Sequence, residues 1–291
     1  MRLKEGGHAT EQWGTTRANQ ADMQAALQFM SKASGIPVEE LRAGLLGSTE
    51  LTILGIRPDS GDVDIAIDLN KYDMADIHNK VMAAVNGEGT LASGLRTGSY
   101  ACPVGNGKKI QVDFMYFDSV TWAKFMYHSD EGRNSKYKGV VRNQLLMACV
   151  RHMTHAGDMI VKNEAGDVVA RASRSIDPNK GMRRIFKMVS INKRTGLPNK
   201  TLGTVTPEDL KARYPDAEFI PREDLVNDPD TLVKALFGEG VAPGDIMTVE
   251  NLIDVIQRKI DDNALRETIG LDAAAQLDQS GIPYPPALKN L

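Results

Sequence analysis

The sequence predicts an α+β protein. It reads as a small mixed β-sheet backed by helices, followed by a basic segment containing β-hairpins and then a helical C-terminal region. Three observations carry this. Residues 61–68 and 108–117 alternate apolar and polar side chains at the period of a strand. Met, Leu, Ile and Val recur at helical spacing in the segments around them. Charge also divides the chain: residues 132–200 hold 15 Lys or Arg against 4 Asp or Glu, leaving 20 against 34 elsewhere, although the formal net charge is only −3. A basic middle between acidic flanks points to an anionic partner for that middle, or to internal pairing with the flanks.

Taken in order, residues 1–20 are polar and read as weakly packed. Ala21–Ala33 forms a helix through Met23, Leu27 and Met30, ended by Gly35. Pro37 suits the first turn of a second helix that runs to Leu46. Residues 49–61 fit a short helix or an extended turn, and Arg57-Pro58-Asp59-Ser60-Gly61 has loop chemistry. After the strand at 61–68, Tyr72–Val85 is a helix with Met74, Ile77, Val81 and Val85 on one face. Asn86–Gly89 is a turn. Arg96–Val104 and Lys108–Phe117 make a hairpin around Gly105-Asn106-Gly107.

Ser119–His128 is an aromatic-rich helix. A polar, basic loop then leads into a helix over 140–154. His152 and His155, three apart, could share a helix face but lack the further ligands of a metal site. Two hairpins are expected, 159–170 around Asn163–Gly166 and 185–205 around 192–196. Beyond them, Thr206-Pro207 and Asp228-Pro229 are helix starts, each with a capping side chain and Pro in the first turn. Thr248–Ile260 and Asp272–Leu277 are further helices, and the tail at 283–286 is extended. This divides the chain into 1–130, 131–157, 158–205 and 206–291.

No apolar run approaches the 18 or so residues of a membrane span, and the N-terminal stretch has no apolar core of the signal-peptide kind. Cys102 and Cys149 lie in apolar contexts and read as buried free thiols. The expected location is the cytoplasm, without a membrane partner.

The chemistry concentrates in three short motifs. Asp62 and Asp64 alternate with Val63 and Ile65, so a strand projects both carboxylates to one face. Two such carboxylates repel unless a cation lies between them, and a hard divalent ion with oxygen ligands is the usual solution. Asp113 sits in the same kind of strand, and a neighbouring position would bring it to the other two. Gly47-Ser48 offers backbone N–H groups and a hydroxyl suited to phosphate oxygens.

Leu46-Gly47-Ser48, then Asp62-Val63-Asp64-Ile65, then Val112-Asp113-Phe114 resembles the polymerase-beta-type nucleotidyltransferase superfamily, over about residues 40–118. The resemblance implies that 1–130 is a catalytic core. It implies that Asp62, Asp64 and Asp113 are catalytic and hold two Mg²⁺ ions, and that Gly47 and Ser48 hold the β- and γ-phosphates of an NTP. Ser60 and Arg57 would border the phosphates. The loop and helix at 131–157 resemble the part of the family that grips the nucleotide, with Lys136, Lys138 and Arg142 as triphosphate contacts. The segment 139–146 is also similar to stand-alone nucleotidyltransferase-like proteins of bacteriophages.

The implied activity transfers an NMP to an acceptor hydroxyl. A nucleic acid (an RNA or tRNA end) suits the basic middle best. A protein or a small molecule remains as acceptor, and so does a non-catalytic nucleic-acid-binding protein on the same fold.

Overall fold

A computed structural model of the chain describes residues 9–152, 160–191, 194, 198–216, 226–261 and 269–291. The α+β class is observed, with a mixed sheet at its centre. That sheet has strand order β3-β6-β5-β4, built from β3 (Val63–Asp68), β4 (Gly89–Ala92), β5 (Thr97–Gly105) and β6 (Lys108–Phe117). β3 and β6 run parallel and the other pairs antiparallel. A short ribbon of β1 (Ala18–Asn19) and β2 (Asp59–Ser60) lies apart from it.

Strand alternation divides the sheet into two faces. Val63, Ile65 and Ile67 of β3 and Ile110, Val112, Phe114 and Tyr116 of β6 are all buried in one apolar core. That face is covered by α1 (Gln20–Ser34), α2 (Val38–Ala43) and α4 (Met74–Ala84), which supply Met23, Leu27, Met30, Leu41, Ile77 and Val81. α1 starts at a capping box: Asn19 accepts from the Asp22 N–H while the Asp22 carboxylate accepts from the Asn19 N–H.

The opposite face is covered only in part. Ala66 and Phe117 pack with Ala123 of α5 (Val120–Met126), which leaves the Asp64–Asp113 end of the face clear of this cluster.

Residues 44–46 run along the outer side of β3. Ala66 N–H donates to Gly44 O at 2.7 Å and Leu46 N–H to Asp64 O at 3.1 Å. A side chain at Gly44 would collide with Ala66 O, so this approach requires glycine. α3 (Gly47–Ile53) begins straight after, and Gly47 takes φ +51° to make the turn. The stretch expected to end a helix at Gly47-Ser48 therefore begins one.

The second apolar core is helical. α6 (Gly139–His152) contributes Val141, Leu145, Leu146, Ala148, Cys149 and Val150. Around it pack α5, α8 (Pro229–Phe237), α9 (Val249–Asp261) and α10 (Ile269–Ser280). α6 thus shares one core with α8, α9 and α10, although the sequence suggests separate regions.

The basic segment is a four-stranded antiparallel meander, β7 (Ile160–Lys162), β8 (Val168–Asp177), β9 (Gly181–Ile191) and β10 (Pro198–Val205). β7 pairs with β8 and β9 with β10 antiparallel, as the two expected hairpins require, and β8 and β9 join through a turn at 178–180; the expected turn at 192–196 lies, Arg194 apart, outside the described residues. α7 (Pro207–Arg213) packs Leu210 against Ala170, Phe186 and Met188 of the sheet.

The expected helix starts are observed at Thr206 and Asp228, each side chain accepting from an N–H of the first turn. Residues 283–285 carry no regular structure and Pro285 is extended, as expected of the tail, and a 3-10 helix follows at Pro286–Asn290. His155 lies outside the described residues. Cys102 and Cys149 are both buried and unpaired. Among the described residues no helix is long and apolar enough to cross a membrane.

Candidate metal centre

Parallel pairing of β3 with β6 sets Asp64 directly beside Asp113. The β5–β6 hairpin sets Ser99 on the other side of Asp113. Ser99, Asp113 and Asp64 therefore form one row across three strands, and Asp62 adds a carboxylate from the entry to β3. One carboxylate oxygen from each of Asp62, Asp64 and Asp113 lies within 4.8 Å of the others.

The surroundings make ionisation of these acids costly. Burial raises the Asp64 carboxyl well above the usual carboxylate range, and the charges of Asp62 and Asp113 raise it further. Asp113 is pushed up to about 6, chiefly by burial. A hydrogen bond from Ser99 opposes that rise, the charge of Asp62 adds to it, and a hydrogen bond from Gln111 opposes it again.

The Gln111 amide is held in turn. Its Oε1 accepts from Thr10 N at 3.2 Å and Thr10 Oγ1 at 3.0 Å, which turns Nε2 toward both Asp113 oxygens at 3.1 and 3.0 Å.

The phosphate-side residues converge on the same place. Thr49, fully buried, accepts from the Asp64 N–H at 3.0 Å and ties the first turn of α3 to β3. Ser48 Oγ lies 2.8 Å from Ser60 Oγ, so the two predicted hydroxyls touch. Tyr127 O borders Gly47, and the Tyr127 hydroxyl is raised by burial and by the charges of Asp64 and Asp177. That hydroxyl donates to Asn179 Oδ1 at 2.7 Å, so the β8–β9 turn touches the wall of the site.

Not every predicted residue belongs here. Arg142 is a correction. It is 1 % exposed, donates to Ile246 O at 2.6 Å and Phe125 O at 2.7 Å, and stacks on the Phe125 ring. Its guanidinium is consumed by the helical core and reaches no substrate; burial lowers its pKa to about 9. Arg57 pairs with Glu131. Lys136 and Lys138 are exposed on the loop before α6, where the Lys136 N–H donates to Glu250.

Four residues around the centre escape the sequence motifs: Thr10, Thr49, Ser99 and Gln111, all buried. Gln111 was available as the i−2 neighbour of Asp113 on the same strand face. Ser99 was not, because the register shift between Pro103 and Gly105 is what sets it opposite Asp113.

The donor set suits a hard cation. It consists of three carboxylates, and the neighbouring groups that act on Asp64 are the other two acids. Octahedral Mg²⁺ ligands lie about 3–4.2 Å apart, a spacing that modest carboxylate rotation would reach from the observed separation. No protein-family model matches the chain, and no curated protein is found similar to it.

Proposed function

We propose that this chain is a Mg²⁺-dependent nucleotidyltransferase that moves an NMP from an NTP to an acceptor hydroxyl, with a nucleic acid as acceptor. The observation that carries this is the convergence of Asp62, Asp64 and Asp113 from two parallel strands beside the Gly47-Ser48 turn. Asp62 and Asp64 would hold two ions, with Asp113 completing the site on the acceptor side. Ions there supply charge neutralisation on the attacking and leaving oxygens of an in-line displacement.

The protein's own work follows from the geometry. The Gly47 backbone and the Ser48 and Ser60 hydroxyls orient the β- and γ-phosphates. Asp113, on the acceptor side, would receive the acceptor hydroxyl proton. The bond from acceptor oxygen to the α-phosphorus forms, the bridge to the β-phosphate breaks, and pyrophosphate leaves.

A second reading is a nucleic-acid-binding protein without catalysis, favoured by Arg171, Arg183 and Lys187 of the β7–β10 sheet, which have no carboxylate at ion-pair distance among the described residues. One experiment separates the two. The protein is incubated with each labelled NTP, Mg²⁺ and a mixture of RNA and protein, beside Asp62→Ala/Asp64→Ala. Label transferred by the wild type alone supports the transferase, and the labelled fraction names the acceptor. Absence of both transfer and Mg²⁺-dependent NTP binding refutes it.

A further inference from the structure

Charge pairing differs sharply between residues 9–130 and the β8–β9 hairpin. Of the ten Lys and Arg in residues 9–130, eight form ion pairs, such as Arg17–Asp59, Lys71–Glu40 and Lys109–Glu88. Among the described residues none of Arg171, Arg174, Lys180, Arg183 and Lys187 has a carboxylate at ion-pair distance.

Strand register sharpens the contrast. Arg171 and Lys187 stand directly opposite each other on β8 and β9, and Arg183 stands opposite Ser175. Like charges in that relation destabilise a sheet. Arg171, Arg183 and Lys187 alternate with the covered Ala170, Met182, Phe186 and Met188, so they occupy the opposite face, which they share with the half-buried Ile185 and the buried Val169 and Val189.

We infer that this face of the β7–β10 sheet is a docking surface for the sugar-phosphate backbone of a single-stranded nucleic acid, the acceptor strand of the proposed reaction; the inference rests on that reading for the word acceptor alone. Three features favour a polymer over a small anion. The row is long: at about 3.4 Å per residue, Arg183 lies about 7 Å and Lys187 about 20 Å along β9 from Gly181. The row also ends at the metal centre. Trp122 Nε1 donates to Pro178 O at 3.0 Å, Tyr127 to Asn179 at 2.7 Å, and Asn179 Nδ2 to Leu95 O at 3.1 Å, which pins the turn to the site wall. Finally, Phe186 is the one aromatic of the four strands and is buried. Contact is therefore to phosphates and indifferent to base sequence.

The test uses the full chain in EDTA without NTP, so that chemistry plays no part. A fluorescent single-stranded RNA of mixed sequence is titrated by anisotropy at several salt concentrations. The variants are Arg171→Glu/Lys187→Glu and the milder Arg171→Gln/Lys187→Gln, each checked for an unchanged melting curve.

The wild type binds in a salt-dependent manner. Glu substitution weakens binding about tenfold or more, Gln substitution weakens it less, and the Gln pair lowers the salt slope by about 1.4. Equal binding by the Glu variant, no RNA binding by the wild type, or preference for polyglutamate over RNA overturns the proposal. RNA binding without nucleotide transfer retains the surface and removes the transferase. Transfer to RNA that the Glu variant leaves unaltered does the reverse.

Discussion

Asp113→Asn is expected to make the metal-free protein more stable at neutral pH while destroying its response to metal. Folding raises this carboxyl from 3.8 to about 6, which is worth about 3 kcal/mol. The folded state binds the proton more tightly than the unfolded state across that window. Stability from this group is therefore full below pH 3.8, falls as pH rises toward 6, and stays low above it. Asn removes the ionisation but keeps one acceptor oxygen, losing one of the two hydrogen bonds from Gln111, about 1 kcal/mol. The net gain is about 2 kcal/mol at pH 8 and vanishes near about pH 4.5. Mg²⁺ reverses the order, since saturation to a hundred times Kd stabilises the wild type by about 2.7 kcal/mol and the variant far less. Urea unfolding followed by far-ultraviolet circular dichroism, in EDTA and in Mg²⁺ at both pH values, reads all four quantities. A variant less stable than wild type at pH 8 in EDTA would refute the reasoning, because the three acids would then not be in uncompensated repulsion.

Three further outcomes follow from individual contacts. Arg142→Ala leaves the Phe125 and Ile246 carbonyls without their donor and opens a cavity, so it costs about 3–5 kcal/mol in urea unfolding; unchanged stability with a raised KM for NTP would return Arg142 to the substrate site. Thr49→Ala removes the acceptor of the Asp64 N–H and lowers Mn²⁺ affinity about tenfold by calorimetry, while Thr49→Ser restores it; equal loss in both variants would rule out the hydroxyl as the cause. Gly44→Ala forces residues 44–46 away from β3 and costs about 1–3 kcal/mol in the same unfolding assay; a neutral result would show that this edge is not tightly held.

The parts of the fold legible in the sequence are those where local chemistry and long-range pairing agree. Gly105, Asn106 and Gly107 all take positive φ between two segments of strand period, so the β5–β6 hairpin could be read directly, but not its register, which shifts between Pro103 and Gly105. β4 was not legible. Its four residues follow a turn signal, and their order comes from pairing with β5. The turn between β8 and β9 has a Pro-Asn-Lys-Gly sequence that announces a bend, but where it lands depends on Trp122 and Tyr127, more than fifty residues earlier.

Within the site, the carboxylates were legible because strand period alone puts Asp62 and Asp64 together. Thr10 was not, since it meets Gln111 across 101 residues. Arg142 misleads for a physical reason: a basic residue after a basic loop looks solvated, yet it shares the α6 face of Leu145 and Cys149. That face is in the core, and the guanidinium is satisfied there by backbone carbonyls and an aromatic ring in place of a carboxylate.

Arg142 also sharpens what remains unexplained by folding alone. Here a buried charge is accounted for by neighbours whose positions are fixed by the same core, and most charges of residues 9–130 are accounted for by ion pairs. Two groups stand apart: Asp64 and Asp113 on β3 and β6, whose carboxyls are raised by burial and by neighbouring acids, and Arg171, Arg183 and Lys187 on β8 and β9. Each is a set of like charges held together by strand register, which folding cannot relax without breaking the sheet. They are of opposite sign, yet they do not neutralise each other. The Asn179–Tyr127 contact fixes the basic hairpin's turn beside the acids while the cations point along a different face. Charges kept apart in this way are stabilised by whatever arrives from solution: cations at one end, a polyanion along the other, and a substrate whose phosphates need both.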